Sequence, residues 1–187
     1  MQARKVATGV VLAAAVAYSG FVIHQAVKPA SPASSIGHTV AVGNLPGDEA
    51  PNFVLKTPTG KTISLASLRG HGVWLNFWAT WCPNCKVELP IVEQEHKIYG
   101  NRVAIVGVDV QESAATVSHY AAAHGLTYSM ALDVHGGVAA AYGVTGLPTS
   151  VFIGPHGHIR AVVTGAIENL NLANQYLERV ASGPSPG

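Results

Sequence analysis

Cys82 and Cys85 are the only two cysteines of this 187-residue chain, and they sit three apart in the run Trp81-Cys82-Pro83-Asn84-Cys85. A mostly apolar run, Val73 to Trp78, precedes them, and a segment with helical periodicity, Pro83 to Tyr99, follows. Positions three apart share one edge of a helix, so the two sulfurs can make and break a disulfide with each other. At a helix N-terminus the unpaired backbone N–H groups and the positive end of the dipole favour thiolate over thiol. Cys82 is therefore expected to be the nucleophile. Cys85, one turn inward, is expected to resolve a mixed disulfide by attacking the Cys82 sulfur. No cofactor is needed, because the Cys82–Cys85 pair itself carries the two electrons.

Glu88 stands three residues beyond Cys85 on the same helix face, where a carboxyl in a partly apolar place can accept or deliver a proton. The plainer reading is a solvated helix charge beside Lys86. A Cys-x-x-Cys is also half of a zinc site, but that needs two further ligands and no other cysteine exists. His156 and His158 in a turn, and the scattered His119, His124 and His135, are read as polar surface, so no metal is expected.

The elements that must position this pair follow from local pattern. Phe53 and Leu55, then Ile63 and Leu65, alternate with polar residues around Pro58-Thr59-Gly60-Lys61, which predicts a β-hairpin. Val73 to Trp78 and Val103 to Val110 read as strands buried on both faces. Pro83, suited to the first helical position, opens a helix to Tyr99 that contains Pro90. Ser113 to His124 is an alanine-rich helix stopped by Gly125. Strand, helix and strand in alternation imply a parallel pair. Ser150 to Gly154 and Ile159 to Thr164 flank Pro155-His156-Gly157-His158 as a hairpin, and Leu170 to Val180 forms a last helix.

Arg4 and Lys5 precede a stretch free of Asp, Glu, Lys and Arg from Val6 to Val27. As a helix, Val6 to Ile23 would cover roughly 27 Å, close to the ~30 Å of a bilayer's hydrocarbon. Positive charge before the run places the N-terminus in the cytoplasm and the rest across the membrane. Residues 1–28 are thus expected to be a signal anchor, 29–48 a Pro/Ser/Gly-rich linker, 49–182 the folded domain and 183–187 a loose tail. Cleavage at Ala15-Val16-Ala17, giving a secreted protein, is the alternative. Lys and Arg total 11 against 10 for Asp and Glu, a formal charge of +1 that makes no case for nucleic acid.

The segment LNFWATWCPNCKVELP, with APNF before it and GVDV, AYGVTGLPTSVFI and VVTG after it, resembles the thioredoxin superfamily and its TlpA/ResA-like branch of membrane-anchored thiol-disulfide oxidoreductases, which includes reductants of cytochrome c maturation. The resemblance covers Ala50 to Val180. It implies an α/β, thioredoxin-like fold: a central mixed β-sheet flanked by helices, with an extra N-terminal β-hairpin. It implies a cis-proline at Pro148, between Leu147 and Thr149, whose missing N–H leaves space beside Cys82. The backbone around Leu147 would then pair with an extended substrate peptide, with Trp81, Pro83, Asn84 and Thr149 as further substrate-binding residues. Thioredoxin has a buried Asp where this chain has Asn76, which leaves Glu88 as the acid-base group, as in the ResA-like branch. The implied partners are a disulfide-containing exported protein, with the Cys-x-x-Cys-His segment of apocytochrome c foremost, and a membrane thiol-electron donor. The peroxiredoxin pattern Pro-x-x-x-Thr-x-x-Cys is absent around Cys82. A general extracytoplasmic reductase, or a copper-handling assembly factor, remains the alternative function.

Overall fold

Residues 43–181 are described by the computed structural model. The expected anchor, the linker up to residue 42 and the tail over 183–187 lie outside them. Among the described residues no helix is long and apolar enough to cross a membrane.

The expected hairpin forms from β1 (Val54–Lys56) and β2 (Thr62–Ser64), followed by a 3-10 turn over Ala66–Leu68. The apolar run before the cysteines is β3 (Gly72–Trp78), buried along its whole length. Large aromatic and aliphatic side chains on both faces of a strand require cover on both sides, and each such burial is worth ~1.5–3 kcal/mol. Next come α1 (Pro83–Tyr99), β4 (Val103–Val110) and α2 (Ala114–His124). Pro83 occupies the first turn of α1. The Ser113 hydroxyl accepts the Thr116 N–H at the start of α2, and Gly125 closes that helix in the left-handed region at φ 65°. The chain ends with β5 (Ser129–Asp133), α3 (Gly137–Ala141), β6 (Thr149–Ile153), β7 (Ile159–Thr164) and α4 (Leu170–Ala181).

The seven strands lie in the order β2-β1-β5-β4-β3-β6-β7. β3, β4 and β5 are parallel neighbours, while β6 runs antiparallel to β3, β7 to β6, and β1 to both β5 and β2. This is the mixed α/β sheet that the resemblance implied. α1, α2 and α4 cover one face around Trp74, Trp78, Ile105 and Leu177. Ala139 of α3 packs on the other face with Phe53, Leu65, Phe77 and Val108.

Two features of this topology place the site. The C-terminal ends of β3, β4 and β5 come to one edge because the strands are parallel. β6 runs the other way, so it starts at that edge, with Thr149 opposite Phe77. The chain just before β6 therefore lies beside the chain just after β3. β5 and α3 were not anticipated from the sequence: Ser-Met-Ala-Leu-Asp shows no clean alternation, and a five-residue helix has too few turns to show a period.

Candidate active site

Cys82 and Cys85 are joined by a disulfide, with Cα atoms 5.3 Å apart. Cys82 is the N-cap of α1, and its sulfur accepts the Cys85 backbone N–H at 3.1 Å. That donor, at the positive end of the α1 dipole, is placed to stabilise a Cys82 thiolate once the bond is reduced. Cys85 has no exposed surface and Cys82 only 3%. Pro83 and Asn84 are exposed, as is Trp81 at 66%, which makes it the most prominent apolar side chain next to the disulfide.

The Leu147–Pro148 peptide is cis. It sits immediately before β6, at the end of the sheet where Phe77 meets Thr149, so the fold brings it to the dithiol edge. The Thr149 hydroxyl turns inward and donates to the Gly146 carbonyl at 2.8 Å. Leu147 is half-buried. Any pairing of this segment with a substrate would therefore use its backbone, not the Thr149 side chain.

Glu88 is not a solvated helix charge: it is fully buried behind Cys85 on the same helix. Burial pushes its carboxyl above the ordinary value, opposed in order by hydrogen bonds from the Ile167 N–H, the Asn76 amide and the Ser150 hydroxyl. Ile167 N donates at 3.1 Å, Asn76 Nδ2 at 2.7 Å and Ser150 Oγ at 3.3 Å. Ser150 in turn accepts from the Trp74 indole at 2.8 Å. Glu88 is thus gripped by β3, β6 and the turn before α4 at once. A buried carboxyl with a raised pKa beside a dithiol can hold the proton that one sulfur must lose and the other must gain.

Asn76, which stands where thioredoxin has a buried Asp, makes the shortest hydrogen bond to Glu88. Ser150, the Ile167 amide and Trp74 were not singled out. Their only local signal is an Asn and a Ser inside otherwise apolar strands, where a buried polar group needs a partner. A second pairing was also missed. Glu112, just past β4, accepts from both the Thr80 N–H and the Thr80 hydroxyl at 2.6 Å each, and so holds the turn that leads into Cys82. Among the described residues no group of three His, Cys, Asp or Glu could hold a metal ion.

A thioredoxin-like sheet with a disulfide at the end of β3, a helix N-terminus at the first sulfur and a buried acid behind the second defines a thiol-disulfide oxidoreductase. The chain belongs to the AhpC/TSA family of thioredoxin-like proteins, which it matches over residues 46–162. Among its curated relatives is the thiol-disulfide oxidoreductase ResA of Bacillus subtilis (strain 168), 39% identical over 142 residues, which span 75% of this chain and 79% of the relative. The thiol-disulfide oxidoreductase ResA of Geobacillus thermodenitrificans (strain NG80-2) is 37% identical over 135 residues, covering 72% and 77% of the two chains. Similar solved structures include a thiol:disulfide interchange protein of the thioredoxin family from Chlorobium tepidum TLS, with a TM-score of 0.65 and 29% identity over 72% of this chain and 96% of that one. StoA from Bacillus subtilis superposes with a TM-score of 0.60 at 26% identity, covering 71% and 98%.

Proposed function

We propose that this oxidoreductase works as an exported, membrane-tethered reductant whose substrate is the Cys-x-x-Cys-His disulfide of apocytochrome c. The observation that supports a reductive cycle is the buried Glu88 carboxyl behind Cys85, held by Asn76, Ser150 and Ile167. Such a group can take the Cys85 proton as that thiol becomes the attacking thiolate.

In this cycle the reduced Cys82 thiolate attacks one sulfur of the substrate disulfide, and the other sulfur leaves as a thiolate and is protonated. Cys85, its proton passed to Glu88, then attacks the Cys82 sulfur. The substrate leaves with two thiols, and Cys82 and Cys85 end as the disulfide. Two electrons have passed from the protein to the substrate, so a membrane thiol-electron donor must return two to this chain. Trp81, Pro83 and Asn84 line the approach, and the Leu147 backbone offers strand-like pairing to the substrate segment. The apocytochrome assignment rests on the resemblance of the motif region to the cytochrome c maturation branch.

The test is a Cys85→Ala variant expressed in the native host, where mixed disulfides on Cys82 persist for want of the resolving thiol. Captured proteins are identified by mass spectrometry. Apocytochromes c among them support the proposal, whereas a broad set of exported proteins makes the chain a general reductase. No cysteine-linked partner at all, together with tight Cu(I) binding, turns the reading to copper handling.

A further inference from the structure

Asp109, one residue before the end of β4, has no exposed surface, and neither of its carboxyl oxygens has a hydrogen-bond partner of good geometry. In register it stands beside Trp78 of β3 and Leu132 of β5. Gln111, the only non-glycine with positive φ among the described residues, turns the chain at 65° between Asp109 and Glu112. Glu112 holds Thr80 by both its backbone N–H and its hydroxyl. Thr80 lies two residues before Cys82, whose own N–H donates to the Ala79 carbonyl at 3.2 Å. The turn that presents the nucleophile is therefore fastened at one end by a carboxylate, and that carboxylate has a second, fully buried acid as its neighbour.

Asp109 is fully buried while Glu112 is half-buried, and a fully buried carboxyl beside another carboxylate is disfavoured as an anion. Glu112 receives two short bonds from Thr80. Asp109 has no side-chain donor to hold its charge and is the one left neutral. Burial, then the Glu112 carboxylate and, more weakly, Asp133 push Asp109 up to about 8, partly offset by the nearby Glu112 backbone N–H. Asp133, on β5, is itself occupied with the Ala139 N–H at 2.8 Å. β3 brings no titratable side chain to this place.

We propose that Asp109 is a positioning residue for the dithiol reaction: as the neutral acid it leaves Glu112 locked on Thr80, and as the anion it repels Glu112, slackens the Thr80 turn and misaligns Cys82. The dithiol thus has two acids with separate duties. Glu88 faces Cys85 and serves the proton of the resolving thiol. Asp109 acts on the other cysteine, through Glu112 and Thr80, and touches neither sulfur's reaction partner. The proton that leaves Asp109 goes to solvent; no electron moves in this step.

The oxidised protein allows a clean test, because its cysteines do not titrate. The Thr80 amide proton is followed by NMR from pH 5 to pH 9, alongside the Asp109 carboxyl carbon. In the reduced protein the alkylation rate of Cys82 is measured over the same range and divided by the thiolate fraction read from ultraviolet absorbance. We expect the Thr80 signal to step with a midpoint near the Asp109 value of about 8. The per-thiolate rate should fall over that interval, and both steps should vanish in Asp109→Asn. Glu112→Gln removes the neighbouring charge and should move the Asp109 carbon titration to lower pH. A Thr80 signal that stays flat in the unaltered protein overturns the proposal, without recourse to any variant. So does a Thr80 step that survives in Asp109→Asn, and so do per-thiolate profiles that overlay with and without Asp109, which would leave it a merely structural acid.

Discussion

Asp109→Asn keeps the outline of the neutral acid and removes its titration, which turns a buried charge problem into a stability measurement. In the folded chain Asp109 is pushed up to about 8, against 3.8 for an ordinary aspartate. Between these two values the unfolded chain has lost a proton that the folded chain still carries. Stability therefore falls as pH rises, by about 1.4 kcal/mol per pH unit, starting near an ordinary aspartate's pKa and levelling off above the folded value. By pH 7 the accumulated loss is on the order of 4 kcal/mol, a large share of the ~5–15 kcal/mol that holds a typical domain together. Asparagine never incurs it. Urea unfolding of the oxidised full-length protein should find the two chains alike at pH 4. At pH 7 the variant should be the more stable by up to about 4 kcal/mol. A gap that does not widen between pH 4 and pH 7, or a variant that is weaker at both, refutes the assignment of Asp109 as a buried neutral acid.

Three further perturbations follow from the same geometry. Because burial raises Glu88, any step that needs its carboxylate fails on acidification at a pH above the ordinary 4.5; Glu88→Gln should erase that acidic limb and slow insulin reduction by about 100-fold, and an unchanged pH profile would remove Glu88 from the chemistry. Ser150→Ala deletes one donor to Glu88 and strands the Trp74 indole, so the Glu88 carboxyl should titrate still higher by NMR and thermal unfolding should show a cost of ~1–3 kcal/mol; an unmoved Glu88 titration contradicts the network. A Cβ at Gly107 would lie 2.8 Å from Met130 Sδ and 2.9 Å from both Trp78 Nε1 and Tyr128 Cε2. Gly107→Ala should therefore lose ~1–3 kcal/mol to overpacking, and a variant of full stability would show that this part of the core yields more than its packing implies.

Much of the scaffold could be read directly. Val73 to Trp78 is too apolar, and too rich in large side chains, to be anything but a strand covered on both faces. Pro83, Ser113 and Gly125 mark helix ends by backbone chemistry that acts within a few residues. The elements that escaped, β5 and α3, are short and take their form from neighbours: β5 from pairing with β4 and β1, and α3 from packing against the second core.

The site divides along the same line. By itself the sequence determined the redox couple, because two thiols at i and i+3 with a helix beginning at the first are a local arrangement, independent of anything far along the chain. It also placed Glu88 on the face of Cys85, since a three-residue step along one helix is local too. Only the tertiary structure decided what Glu88 and Cys82 experience. Asn76, Ser150 and Ile167 reach Glu88 across separations of 12, 62 and 79 residues. Glu112 reaches Thr80 across 32. Whether a carboxyl is a solvated charge or a buried proton holder depends on desolvation and on donors delivered from other strands, and those exist only once the sheet has paired.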